Sequence, residues 1–174
     1  MREAIIESIT ELAIKNKKVA LITADLGFGV FDEFQEKCPD QFINVGVAEQ
    51  NMSTIACGMA LEGYKVFTYS IRNFPTLRCL EQIRNDICYH NADVTIISTG
   101  AGFSYGALGV SHFATEDIAI INAIPNIKLL IPNIKEADPA GIVPTSSTII
   151  QLSIGDALAV ATMEQRNFGK LDFK

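Results

Sequence analysis

The 174 residues predict an α/β fold: a mainly parallel sheet layered between helices. Short, almost uninterrupted apolar runs recur along the chain, as strands buried on both faces require. Segments of about a dozen residues with helical apolar spacing separate them, and glycines or prolines mark the junctions. Strands alternating with helices of that length build βαβ units, and hence a three-layer α/β sandwich.

The elements follow in order. Residues 2–15 place Ile5, Ile6, Ile9, Leu12 and Ala13 at the spacing of an amphipathic helix. The run at 18–25 is a buried strand, closed by a loop at Gly27 and Gly29. A second strand at 42–47 leads straight into a helix at 48–62, with Met52, Ile55, Ala56, Met59 and Ala60 on one face. Gly63 stands where a helix C-terminal cap belongs. Residues 65–69 read as a strand and 76–89 as a helix, with Pro75 near its start. A strand at 94–99 precedes the glycine-rich stretch 100–109. Residues 115–123 read as a helix capped by Thr115, and 127–131 as another buried strand. In the tail, 149–168 carries helical spacing through Ile150, Ile154, Ala157, Leu158 and Ala161, starting near Ser146 or Ser147. The β-branched content of 148–153 supports a competing last strand there.

Composition narrows the function. A formal net charge of -6 argues against nucleic acid as a partner, because phosphate binding wants a basic surface. No apolar run reaches eighteen residues, so no membrane span is expected. The N-terminus is acidic and amphipathic, unlike a secretory signal, so a cytoplasmic location is expected. Cys38, Cys57, Cys79 and Cys88 have no metal-ligand spacing and read as reduced, semi-buried or core thiols.

Several ordered motifs carry a resemblance. FINVGVAEQNM (42–52) followed by GMALEGY (58–64) resembles the transketolase and deoxyxylulose-phosphate synthase families. ADL (24–26), GVSHFATED (109–117), AIPNI (123–127) and the Ile131–Pro132 pair extend it, so that it covers about residues 1–135. The resemblance implies the pyrimidine-binding domain of a thiamine-diphosphate enzyme. Glu49 would hydrogen-bond N1′ of the cofactor's aminopyrimidine and favour the imino tautomer that takes the thiazolium proton. An acid at a helix start also suits the macrodipole without any ligand. Phe74 is the candidate ring wall for the pyrimidine, placed there by a one-residue shift in alignment, and Tyr69 is the alternative; core packing would explain either. His112 matches a residue contacting a substrate hydroxyl, and Asp25 an acid near the cofactor.

The family's metal-binding Gly-Asp-Gly element is absent, and Gly155-Asp156-Ala157 lies too late to replace it. No metal ligand is therefore assigned. Mg²⁺ and the diphosphate grip are expected from a separate diphosphate-binding, transketolase-like subunit, the cofactor being shared between chains. The implied substrate is a sugar phosphate, and the chain is expected to be a homo-oligomer. Residues 136–174 resemble a different family, arabinose-5-phosphate isomerase of the sugar-isomerase fold, through GIVPTSST (141–148), GDALAV (155–160) and RNF (166–168). That suggests a fused tail packing on the same domain. Two readings follow: the pyrimidine-binding half of a ketol-transferring enzyme, or a catalytically inactive remnant or chimera that self-associates.

Overall fold

A computed structural model describes residues 2–100 and 102–130, and the expectations for 131–174, including the boundary at 135 and the tail helix or strand, lie outside them. The chain divides into two compact units, residues 1–115 and 116–174. The first holds a four-stranded sheet.

Helix α1 spans Arg2–Lys15 and feeds strand β1, Val19–Thr23, all five residues of which are buried. Helix α2 (Asp32–Lys37) follows, then β2 (Phe42–Asn44), α3 (Glu49–Leu61), β3 (Lys65–Ile71) and, after a broken helical segment, β4 (Val94–Thr99). The strand order is β2-β1-β3-β4, and all three pairings are parallel. Because successive side chains point to opposite faces, β1 serves two cores. Val19 and Leu21 join Ile6, Ile9 and Ala13 of α1 and Phe34 of α2. Ile22 and Ala24 join Met52 and Ala56 of α3 on the other face. The expected sandwich with helices on both faces is thus present. It also explains why β1 reads as a continuous apolar run rather than an alternating one.

Several boundaries differ from expectation, each for a local reason. Helix α2 went unpredicted because six residues with one buried anchor, Phe34, make too short a segment for helical periodicity. Strand β2 stops at Asn44, whose side-chain Oδ1 accepts hydrogen bonds from the backbone N–H groups of Asp25 and Gly46, 3.0 Å each. Strand β3 runs to Ile71 because β4 pairs with it throughout, ending at Ile71 opposite Thr99.

The helix expected at 76–89 is three pieces. A 3₁₀ turn (Leu77–Cys79) precedes the single turn α4 (Leu80–Gln82), and a π-helical stretch (Ile83–Cys88) completes it. Within the π stretch the Asp86 carbonyl receives the Cys57 thiol of α3 at 3.2 Å, a partner that a strict α ladder would not supply.

In the second unit, α5 spans Asp117–Asn122, with Glu116 rather than Thr115 in the capping position. Residues 127–130, expected to be a strand, form none. An apolar run becomes a strand only where a ladder receives its backbone groups, and no ladder among the described residues includes this one. None of the four cysteines is in a disulfide, and all are buried.

Candidate functional site

Parallel strands direct their C-terminal ends to one edge, where ligands of open α/β sheets bind. That edge carries Asp25 after β1, Glu49 beyond β2, Arg72 and Phe74 after β3, and the loop from Gly100 to His112 after β4. Since β2 and β3 flank β1 on opposite sides, the chain reverses direction of strand addition here.

Glu49 is the first residue of α3, and only 3 % of it is exposed. The helix N-terminus favours its negative charge, but a buried carboxylate needs a counter-charge as well. Arg78 supplies one: its Nη1 donates to Glu49 Oε2 at 3.0 Å. The Arg78 guanidinium also lies over the Phe74 ring, 4.0 Å from its centroid. The Phe74 ring also meets that of His112, at 5.0 Å and 63°. Glu49, Arg78, Phe74 and His112 therefore form one contiguous chain of contacts.

A second arginine holds the loop that delivers His112. Arg72 is fully buried, and its Nη1 donates to the carbonyls of Gly102 (3.0 Å) and His112 (2.7 Å). Its guanidinium lies 3.8 Å over the Tyr105 ring. The backbone of Arg72 is left-handed, with φ of 52°, and its carbonyl receives the hydroxyls of Ser98 and Thr76. The loop is further closed by paired backbone hydrogen bonds between Gly102 and Ala114.

The sequence-derived candidates separate accordingly. Glu49, Phe74 and His112 come together. Tyr69, the alternative to Phe74, is a core residue that meets Phe31 edge-on at 4.9 Å. Asp25 stands at the same sheet edge, but its described contacts are to Asn44, whose Nδ2 donates to its carboxylate at 3.3 Å. Its φ of 55° marks it as a turn residue.

Sequence reasoning missed both arginines. Arg78 lies four residues after Phe74, a spacing that brings side chains together once a helical turn forms. Arg72 directly follows a strand, in a chain with few cations. Among the described residues, no group of three or more His, Cys, Asp or Glu side chains is arranged to hold a metal ion. No described helix is long and apolar enough to cross a membrane.

Burial pushes the thiols of Cys57, Cys79 and Cys88 above their ordinary pKa. For Cys79, the Ser53 side chain and Arg78 offset part of that shift while Glu49 adds to it.

A parallel sheet with helices on both faces and a buried carboxylate at its carboxyl edge is an open α/β domain, and comparison with known proteins makes the class specific. The transketolase pyrimidine-binding domain family matches residues 1–151, and the chain belongs to that family. The match passes the boundary at 135 drawn from the motifs.

A transketolase C-terminal section from Methanocaldococcus jannaschii, itself named as putative, is 41% identical over 133 residues, covering 76% of this chain and 42% of that protein. One of the subunits of apulose-4-phosphate transketolase, from Phocaeicola vulgatus, is 33% identical over 132 residues, covering 75% and 42%. A solved structure, described as a split gene transketolase, inactive beta4 tetramer, superposes with a TM-score of 0.65 at 34% identity. That superposition covers 90% of this chain and 47% of the other. The chain thus spans about two fifths of the length of these two curated relatives.

Proposed function

We propose that the chain is the pyrimidine-binding half of a split transketolase-like enzyme that moves ketol units between sugar phosphates. It shares thiamine diphosphate with a separate diphosphate-binding subunit, which also brings Mg²⁺. The observation that carries this reading is Glu49, a nearly buried carboxylate on a helix N-terminus, joined through Arg78 to the Phe74 ring. Those two side chains already accommodate a flat group bearing N–H donors, the Arg78 guanidinium. A pyrimidine ring is likewise flat, and protonated at N1′ it turns an N–H donor toward that carboxylate, so the residues present fit the group.

When bound, the cofactor supplies a stabilised carbanion equivalent for cleaving and forming bonds next to a ketone. The protein's residues orient it. Glu49 accepts or shares a proton at the pyrimidine nitrogen, and its burial makes that interaction strong by excluding water. Phe74 presents a ring face that fixes the plane of the pyrimidine. His112, whose ring packs against Phe74, offers an imidazole to a substrate hydroxyl. Its Nδ1 is 3.0 Å from the Ser111 hydroxyl, which biases its orientation. Asp25 borders the cofactor from the end of β1. A relative named as one subunit of a transketolase, and a solved homologous tetramer described as inactive, support a chain that is silent alone and completed by another polypeptide. No comparison supports the sugar-isomerase resemblance of residues 136–174, and the transketolase-family match itself runs to 151, so that segment is given no catalytic role.

The test is reconstitution. Calorimetry of the isolated chain with thiamine diphosphate and Mg²⁺ is expected to show no micromolar binding. Co-purification from the native host should recover a diphosphate-binding subunit. In that mixture Glu49→Gln should abolish ketol transfer while leaving the assembly intact, and unchanged turnover would remove Glu49 from its role.

A further inference from the structure

The Arg78 guanidinium makes two contacts at once. It lies 4.0 Å over the face of Phe74, and it donates to the buried Glu49 carboxylate at 3.0 Å. A planar group with an N–H donor, stacked on that ring and bonded to that carboxylate, is the arrangement an aminopyrimidine sharing its N1′ proton with Glu49 would adopt on the same two residues. We propose that Arg78 is a surrogate occupant of the pyrimidine seat, holding it in the unpaired chain until the cofactor's ring displaces it. The inference rests on the reading of Glu49 and Phe74 as the pyrimidine-binding pair.

The physical argument concerns what happens to Glu49 in an empty seat. A buried carboxylate with neither ligand nor counter-ion is costly, so a half-built site needs a substitute charge. The exposure of the two partners is unequal: the Arg78 side chain is 44% exposed and that of Glu49 3%. Arg78 therefore reaches in from solvent, and it can withdraw into water with little desolvation to overcome. It rises from the 3₁₀ turn Leu77–Cys79, a short irregular piece rather than a long rigid helix. Its backbone N–H is bonded to the Asn73 carbonyl at 3.1 Å, so the side chain can swing while its anchor stays. An ion pair with one exposed partner, reinforced by a cation–π contact, competes weakly enough to be displaced yet strongly enough to be populated. If it fills the seat about nine times in ten, apparent affinity for a competing ring falls about tenfold.

The experiment titrates 4-amino-2-methylpyrimidine into the full chain, following Arg78 Nε–H and backbone amide resonances by NMR. Wild type, Arg78→Ala, Arg78→Lys, Glu49→Gln and the double variant Arg78→Ala/Glu49→Gln are compared, with circular dichroism confirming that each is folded. The expected result is about tenfold tighter binding by Arg78→Ala. Arg78→Lys, which keeps the charge but not the flat stack, should fall between it and wild type. Both variants carrying Glu49→Gln should lose binding. In wild type the Arg78 Nε–H resonance should move toward its solvent-exposed position as the seat fills. Equal affinity in wild type and Arg78→Ala, with loss in Glu49→Gln, would overturn the surrogate while leaving the pyrimidine site standing. Weaker binding by both Arg78 variants would also overturn it, making Arg78 a contributor to the site. Should Arg78→Ala not fold, equal or weaker binding by Arg78→Lys decides against the surrogate alone. Absence of binding in every variant up to the fragment's solubility would remove the pyrimidine reading and the surrogate with it.

Discussion

Replacing Arg72 by Met tests whether one buried cation organises the loop that carries His112. Methionine retains most of the apolar stem, so the change isolates the guanidinium. Two charge-assisted hydrogen bonds, to the carbonyls of Gly102 and His112, are lost. At about 1.5–3 kcal/mol each they represent about 3–6 kcal/mol. The contact with the Tyr105 ring adds about 0.5–2 kcal/mol. Against this, a fully buried charge no longer has to be stripped of water, which returns several kcal/mol. The net expectation is a loss of about 3 kcal/mol.

With a urea dependence of about 2 kcal/mol per molar, the unfolding midpoint should fall by about 1.5 M. Cleavage in the loop 100–112 during limited proteolysis should accelerate at least as much. Arg72→Lys should recover only part of the loss, because one ammonium cannot reproduce a planar fork. A midpoint shift under about 0.5 M, or unchanged loop cleavage, would refute the organising role.

Two further perturbations probe the same edge and the core. Gly100 has φ of +85°, and a Cβ there would stand 2.6 Å from Tyr105 Cε2 and 3.2 Å from Arg72 Nη2. Gly100→Ala should therefore cost about 2 kcal/mol through backbone strain and a displaced ring, read as a lowered urea midpoint. For the thiols, burial raises the pKa of Cys57, Cys79 and Cys88 in the folded chain, so the unfolded chain loses those protons first. Their contribution is complete below the unfolded value of about 8.5 and is lost as pH rises through the higher folded values. Stability measured by urea titration should fall above about pH 8.5, and Cys→Ser variants at these positions should flatten that fall.

What the sequence revealed and what it concealed divide along the range of the forces involved. The double burial of β1 was visible because it demands five consecutive side chains that tolerate an apolar setting, Val19 through Thr23. Helix α3 was visible because Met52 and Ala56 must face the sheet together. The irregular segment 77–88 was not, since the contact of its Asp86 carbonyl with the Cys57 thiol of another helix leaves no local pattern. The site shows the same division. Glu49 and His112 sit in motifs whose order along the chain is informative, and Phe74 was reachable to within one alignment step. Arg78 and Arg72 act through partners 29 to 40 residues away. Local spacing cannot announce such a pairing; only closure of the sheet creates it.

The carboxyl edge of the sheet also presents apolar side chains to water. Phe28 follows β1, Val47 follows β2, and Phe103, Leu108 and Val110 lie in the segment after β4; Phe28 is 84% exposed and Val110 80%. Met52 of α3 is by contrast fully buried against the sheet. Three separate connections each placing large apolar groups outward, around a buried carboxylate, is the composition of a surface meant to be covered. When a diphosphate-binding subunit is lacking, the available cover is another copy of the chain. A two-fold pair in which the patch meets itself is the simplest closed arrangement. Light scattering of the isolated chain should therefore report at least a dimer across the micromolar range. Phe28→Asp combined with Val110→Asp should shift it toward monomer, since each introduces a charge that the contact would have to bury unpaired. Both substitutions sit in exposed loop positions, so circular dichroism should be unchanged. A monomer at every concentration in the unaltered chain would show that this edge stays open to water without a second copy, and that the apolar loops are covered only by a different polypeptide.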